Sequence, residues 1–199
     1  MKKLIRFLLI IILILSLLII YARYGGTRGL ITKEYQIETT IDDSFDGLKI
    51  VHFSDLHYLR ITNKETTQSI IEEINLLNPD IVVFTGDLID KDYKPNDKDI
   101  SNLKELLTSI KSKYGKYSVL GEHDIKVEDT IKDIYISSNF TLLDNSYDVI
   151  YGNNNNKLFI GGLSNNPDID KVMNYFTENE DINYKIILVH EPDYIDTIT

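Results

Sequence analysis

From residue 4 to residue 22 every position is apolar except Arg6 and Ser16. A helix of about 19 such residues, rising about 1.5 Å each, comes close to the thickness of a bilayer's hydrocarbon core, so a transmembrane helix is expected within residues 1–24. A cleaved secretory signal is the rival reading. Its apolar stretch is usually shorter and ends in a small-x-small site, which Tyr21-Ala22-Arg23-Tyr24 does not supply. The span therefore reads as an uncleaved, single-pass membrane anchor. Lys2, Lys3 and Arg6 before it cluster more tightly than Arg23, Arg28 and Lys33 after it, which favours the amino terminus inside and an extracytoplasmic domain. Gly25-Gly26-Thr27-Arg28-Gly29 marks a linker over residues 25–31 and leaves 32–199 for one folded domain.

Within that domain the periodicity alternates between two and 3.6. Residues 34–41, with Tyr35, Ile37 and Thr39 set against Glu34, Gln36 and Glu38, predict an edge strand. Residues 48–53 predict a second strand. A helix over 64–77 follows, with Thr67, Ile70, Ile71, Ile74 and Leu77 on one face and Asn78-Pro79 ending it. The apolar run 81–84 is a third strand. After a polar loop, Ile100, Leu103, Leu106, Leu107 and Ile110 form another helical stripe, and 117–120 a further strand. Beyond that the pattern shortens: 141–143, 147–151 and 157–163 read as strands of a second, partly antiparallel sheet, the last two joined by Gly152 and the Asn153 to Asn156 tract. A helix from Asp168 to about Phe176 precedes a strand over 185–189.

Composition narrows the reading. With 199 residues, 43% apolar and 26% charged, the chain supports one core plus the anchor. A net charge of −10 argues against a nucleic-acid partner, because phosphate backbones are gripped by Lys and Arg clusters. Cysteine is absent, so neither a disulfide framework nor a thiolate metal site exists.

Candidate chemistry gathers where strands end. Ser54-Asp55-Leu56-His57, Gly86-Asp87-Leu88-Ile89-Asp90, Gly121-Glu122-His123-Asp124 and Val189-His190-Glu191 each follow an apolar strand-like stretch, and a parallel sheet would deliver all four to its carboxyl edge. Carboxylates and imidazoles together suit a hard or borderline divalent ion. Asp55-x-His57 places an oxygen and a nitrogen donor on one side of an extended chain, and Asp87 follows a glycine that lets the backbone turn off its strand. Two ions bridged by one carboxylate can clamp a phosphate. His52, outside the pattern, reads as a satisfied bystander, and Glu191, Asp193 and Asp124 as loop carboxylates or caps.

This motif series resembles that of the calcineurin-like metallophosphoesterases, most of all their membrane-anchored bacterial branch: D-x-H, G-D-x-x-D, G-N-H-D/E and a lone His, in order over roughly residues 47–199. The resemblance implies an α/β fold of two mixed β-sheets sandwiched between helices, preceded by the transmembrane helix. It implies that Asp55, His57 and Asp87 bind one metal and that Asp87, Glu122 and His190 bind the other. The ions would be Mn, Fe, Zn or similar. His123 would contact substrate as the acid, held by Asp90. Two positions depart from the family pattern. Glu122 stands where the family has Asn, which adds negative charge against the metals and lowers their Lewis acidity. The family's final G-H-x-H segment does not occur before Thr199, so the domain reads as incomplete at its carboxyl end.

The function expected is metal-dependent hydrolysis of a phosphate ester or pyrophosphate on a small-molecule or lipid substrate. The alternative is a catalytically impaired, membrane-anchored protein that binds a metal or a partner.

Overall fold

The computed structural model describes residues 2–24, 29–179 and 182–194; residues 25–28 of the expected linker lie outside them. The chain divides into two compact units, Met1–Glu38 and Thr39–Thr199. The first contains helix α1 (Lys2–Tyr24), whose Leu, Ile and Phe side chains from residue 4 to residue 20 are exposed on every face. No apolar stripe is reserved for a core, and the helix is long and apolar enough to cross a membrane. Residues 29–38 follow without regular structure, with Tyr35 and Ile37 exposed. The edge strand expected over 34–41 is not formed. Alternation supplies two faces, but a strand also needs a neighbouring ladder, and none pairs with it among the described residues.

The second unit runs β1 (Ile50–Phe53), α2 (Lys64–Leu76), β2 (Ile81–Phe84), α3 (Asp97–Thr108), β3 (Gly115–Ser118), α4 (Glu128–Ser137), β4 (Phe140–Leu142), β5 (Ser146–Tyr151), β6 (Lys157–Gly162), α5 (Ile169–Glu178) and β7 (Ile182–Leu188). The first sheet has the order β1-β2-β3-β4, parallel throughout. The second has the order β5-β6-β7, antiparallel at its first pair and parallel at its second. The strand expected at 141–143 belongs to the first sheet. Helix α4 supplies the crossover that lets β4 return parallel to β3.

Helix starts follow local chemistry. The Asn63 side chain accepts from Thr66 N at 2.7 Å to open α2, and Asn96 and Asp99 form a reciprocal capping box at α3. Strand β2 is buried on both faces, which explains its unbroken apolar run. Val82 and Phe84 pack with Ile71, Leu103, Ile131 and Tyr135 from the helices, while Ile81 and Val83 pack with Leu158, Ile160 and Leu188 from the second sheet. Phe159 and Val172 fill a further layer beneath α5. The unit is thus helices, sheet, sheet, helix, and the core lies between every pair of layers.

This arrangement positions the motif loops. Phe53, Phe84 and Ser118 lie side by side in register, so the loops that follow β1, β2 and β3 leave from one edge of the first sheet. The fourth motif does not share that sheet, as the sequence reading supposed. His190 follows β7 of the second sheet, which the sandwich brings alongside.

Candidate metal centre

The loop after β1 is not extended. Asp55 and His57 both adopt positive φ, 55° and 38°, and so does Asp87 at 59° after Gly86 at 96°. Non-glycine residues rarely occupy this region, and when they do the surroundings must hold them there. Asp55 and His57, expected on one side of a straight strand, lie instead in an irregular loop with left-handed backbone at both positions. Backbone bonds hold it: Asp55 N to Gly86 O, His57 N to Asp87 O and Tyr58 N to Leu88 O, at 3.0, 3.0 and 2.9 Å.

Asp124 stitches the second loop to the third. Its buried carboxylate accepts from the backbone N–H groups of Asp87, Leu88 and Gly121 at 2.9, 2.9 and 3.0 Å, with Ile89 N at 3.5 Å. Burial pushes its carboxyl up to about 6, although the N–H groups of Gly121, Leu88 and Ile89 pull the other way. Asp87 returns the link, its Oδ1 accepting from His123 N at 2.9 Å. The two glycines permit this contact. A methyl group on Gly86 would stand 2.2 Å from Gly121 N, and one on Gly121 would stand 2.1 Å from Asp87 Oδ1.

Asp87 sits at the centre, its side chain 5% exposed. One oxygen, Oδ2, faces His57 Nε2 at 3.6 Å and His123 Nε2 at 3.9 Å; the other, Oδ1, faces His190 Nε2 at 3.8 Å. Asp55 Oδ1 lies 3.8 Å from His57 Nε2. Two overlapping groups of donors result, His57 with Asp87 and His123, and Asp55 with Asp87 and His190, their ligand atoms within 4.8 Å of one another. Four ligands at about 2.1 Å from an ion stand about 3.4 Å apart, so these spacings suit divalent ions after shifts of a few tenths of an ångström. The donor set of carboxylates and imidazoles has the matching chemistry.

Backbone groups sort the imidazoles. His190 Nδ1 lies 2.7 Å from Thr85 O, and a carbonyl only accepts, so the proton sits on Nδ1 and the Nε2 lone pair faces Asp87. His123 has the opposite arrangement. Its Nδ1 accepts from Lys91 N at 3.4 Å, which leaves the proton on Nε2, 3.3 Å from Glu122 Oε1. Asp90 Oδ2 stands 3.5 Å from Nδ1 of both His57 and His123. The Asp92 N–H, bonded to Asp90 at 3.0 Å, and the Arg60 guanidinium hold the Asp90 carboxyl below the usual range.

Of the residues singled out in sequence, Asp55, His57, Asp87, Asp90, His123 and His190 thus come together. Glu122, with its side chain 58% exposed, touches the cluster at His123 and stands outside both donor groups. His52 lies apart, bonded through Nε2 to Thr85 Oγ1 at 2.8 Å. Two residues of consequence were not singled out as functional: Asp124, read as a loop carboxylate, and Arg60. The one signal for Arg60 is its place three residues after His57; its partner is thirty residues away.

Residues 48–198 match the calcineurin-like phosphoesterase family. Among curated proteins the chain is 33% identical over 182 residues to the uncharacterized metallophosphoesterase YkuE of Bacillus subtilis, covering 87% of this chain and 61% of that one. It is 33% identical to a transmembrane protein with metallophosphoesterase domain from Danio rerio, over 45% of this chain and 20% of that one. It is also 36% identical to the UDP-2,3-diacylglucosamine pyrophosphatase LpxG of Chlamydia trachomatis, over 39% of this chain and 23% of that one. The chain spans less than two thirds of the length of each of these relatives.

Proposed function

Because this chain belongs to the calcineurin-like phosphoesterase family, we propose that it is a metal-dependent hydrolase of a phosphate ester or pyrophosphate, working through two divalent ions. The observation that carries the reading is the central Asp87, whose two buried oxygens address different imidazoles and suit a carboxylate shared between two ions. Asp55 and His57 would hold one ion with Asp87. His190 would hold the other, its lone pair aimed by the Thr85 carbonyl, with the exposed Glu122 as the remaining donor. When bound, such ions supply Lewis acidity and activate water.

The chain's own groups do the rest. His123 carries its proton on Nε2, on the side that faces Asp87, and donates it to the ester oxygen as the bond to phosphorus breaks. Asp90, anchored by Arg60, stands against the back of His57, and the Lys91 N–H holds the back of His123. Residues 1–24 act as a membrane anchor, 25–31 as a linker and 32–199 as the catalytic domain. Tethering raises the effective concentration of a membrane-linked substrate. Together with the similarity to LpxG, this favours a lipid-linked pyrophosphate, and the tighter clustering of Lys2, Lys3 and Arg6 before the anchor favours the extracytoplasmic side.

The test is hydrolysis of bis(p-nitrophenyl) phosphate and of a nucleotide pyrophosphate diester by the full chain in detergent with Mn²⁺. Turnover that chelation and His190→Ala both abolish is expected. A chain that retains no divalent metal overturns the reading. Retained metal without turnover of either ester selects the second reading, an anchored metal-binding protein, which the position of Glu122 outside both donor groups favours.

A further inference from the structure

We propose that the cavity at the amino edge of the first sheet binds a phosphate group, free or carried on a small molecule, through Lys111, Lys113 and Lys116. The cavity measures about 500 Å³ and is lined by these lysines together with Thr108, Ser112 and Asn139. It opens where β3 begins, whereas the metal centre lies where β3 ends, so it is a separate site.

Lys116 marks this cavity out from the rest of the surface. It lies on an interior strand and is only 6% exposed, yet no carboxylate pairs with it among the described residues. A buried charge ordinarily carries a partner or sheds its proton. Its Nζ donates to Leu107 O at 2.9 Å and sits 4.9 Å from the Phe140 ring centre. The Leu107 contact satisfies a carbonyl at the end of α3, and it uses one of the three N–H donors of the ammonium. Capping α3 does not account for two more lysines on the same opening. Among the described residues the one carboxylate in ion-pair range of these two is Asp80, 3.9 Å from Lys113 Nζ, which also sits 4.4 Å from the Tyr114 ring centre, and Lys111 has no ion-pair partner. In a chain with 31 acidic and 21 basic residues, three lysines lining one opening with a single carboxylate in ion-pair range form a local reversal of charge. A phosphate would supply the missing counter-ion, accept the spare N–H groups and meet the Ser112 hydroxyl and the Asn139 amide. Burial pushes the Lys116 amine down to about 8, which agrees with an ammonium lacking its counter-ion.

The experiment uses the full chain in detergent, stripped of metal by chelation so that the metal centre does not compete for phosphate. The lysine side chains are followed by NMR while inorganic phosphate or glycerol 3-phosphate is added. The expected result is a saturable change at Lys116 and an upward move of its titration midpoint. Affinity should fall about tenfold or more in Lys116→Met and in the exposed double variant Lys111→Gln/Lys113→Gln. Tighter binding of glycerol 3-phosphate identifies a carried phosphate; equal binding identifies the free ion. If Lys116→Met does not fold, the double variant decides alone. An unmoved Lys116 signal with both probes, or unchanged affinity in the double variant, overturns the proposal, and neither result bears on hydrolysis at the metal centre.

Discussion

The imidazole of His190 donates through Nδ1 to the carbonyl oxygen of Thr85 at 2.7 Å, joining the end of β7 in one sheet to the end of β2 in the other. The bond works on two levels. It ties the two halves of the sandwich together at the rim, and it fixes which nitrogen is free. A metal-ligating histidine needs such a back-side acceptor, and losing one typically costs about 10–100-fold in metal affinity.

Replacing His190 by Ala removes the donor itself, so affinity for the one ion it would hold should fall by more than that range while the other ion stays. Metal analysis after dialysis against a competing chelator checks this. Full metal content in the variant would detach His190 from the centre.

His123→Ala should behave differently. Its proposed role is to hand over the proton on Nε2, worth about 10²–10⁴ in rate. Turnover of an ester with a poor leaving group should drop by that factor while metal content stays near wild type. An ester with a good leaving group should lose much less, because it needs little protonation. Equal losses for both would remove His123 as the acid.

Asp124→Asn tests the stitch between the loops. The amide offers one acceptor oxygen where the carboxylate offers two, and turns an NH₂ toward backbone N–H donors. Leaving such buried donors unmatched costs about 1–3 kcal/mol each, so thermal unfolding should show a loss of about 2–4 kcal/mol. A fully stable variant would mean that the loops are held by other contacts.

Lys116 sets a pH dependence of stability. Its amine titrates near 8 in the folded chain against 10.5 when unperturbed. Below pH 8 both states are protonated and the burial penalty is complete. Between those two values the folded state releases a proton that the unfolded state keeps, so stability rises with pH, and above the upper value the contribution is constant. Lys116→Met should therefore be more stable than wild type by about 1–3 kcal/mol at neutral pH, with the advantage fading as pH approaches the unfolded value. Denaturant unfolding across that range checks the slope, and a pH-independent difference would contradict it.

What the sequence made legible follows from how locally each feature is encoded. β2 is four consecutive apolar residues because both its faces are buried, and the stripe of α3 repeats at helical spacing. α4 is harder to see. Ile131, Ile134 and Tyr135 have the right spacing, but Thr130 and Ile136 add β-branched character, and Val127 at its start offers no side-chain cap. Without that helix, the strand after it was assigned to the wrong sheet. At the site, Asp55, His57, Asp87, His123 and His190 were readable because their neighbours form short patterns. Asp124 lies inside such a pattern, yet its task depends on N–H groups 35 to 37 residues earlier, and no local spacing encodes that. Arg60 meets Asp90 across a separation of 30 residues, and its part was invisible for the same reason.

The back-to-back glycines bear on how this rim can evolve. At Gly86 an added methyl would collide with the backbone of Gly121, and at Gly121 with Asp87 itself. Backbone cannot yield as a flexible side chain can, so each glycine constrains the other. Gly86 also needs its φ of 96°, which a side chain rarely tolerates. Neither position has a single-step route to another residue that leaves Asp87 where it is. At the neighbouring Glu122, whose side chain is largely exposed, no such collision stands in the way, so only its task as a donor limits which group stands beside the centre while the spacing of the centre itself stays fixed.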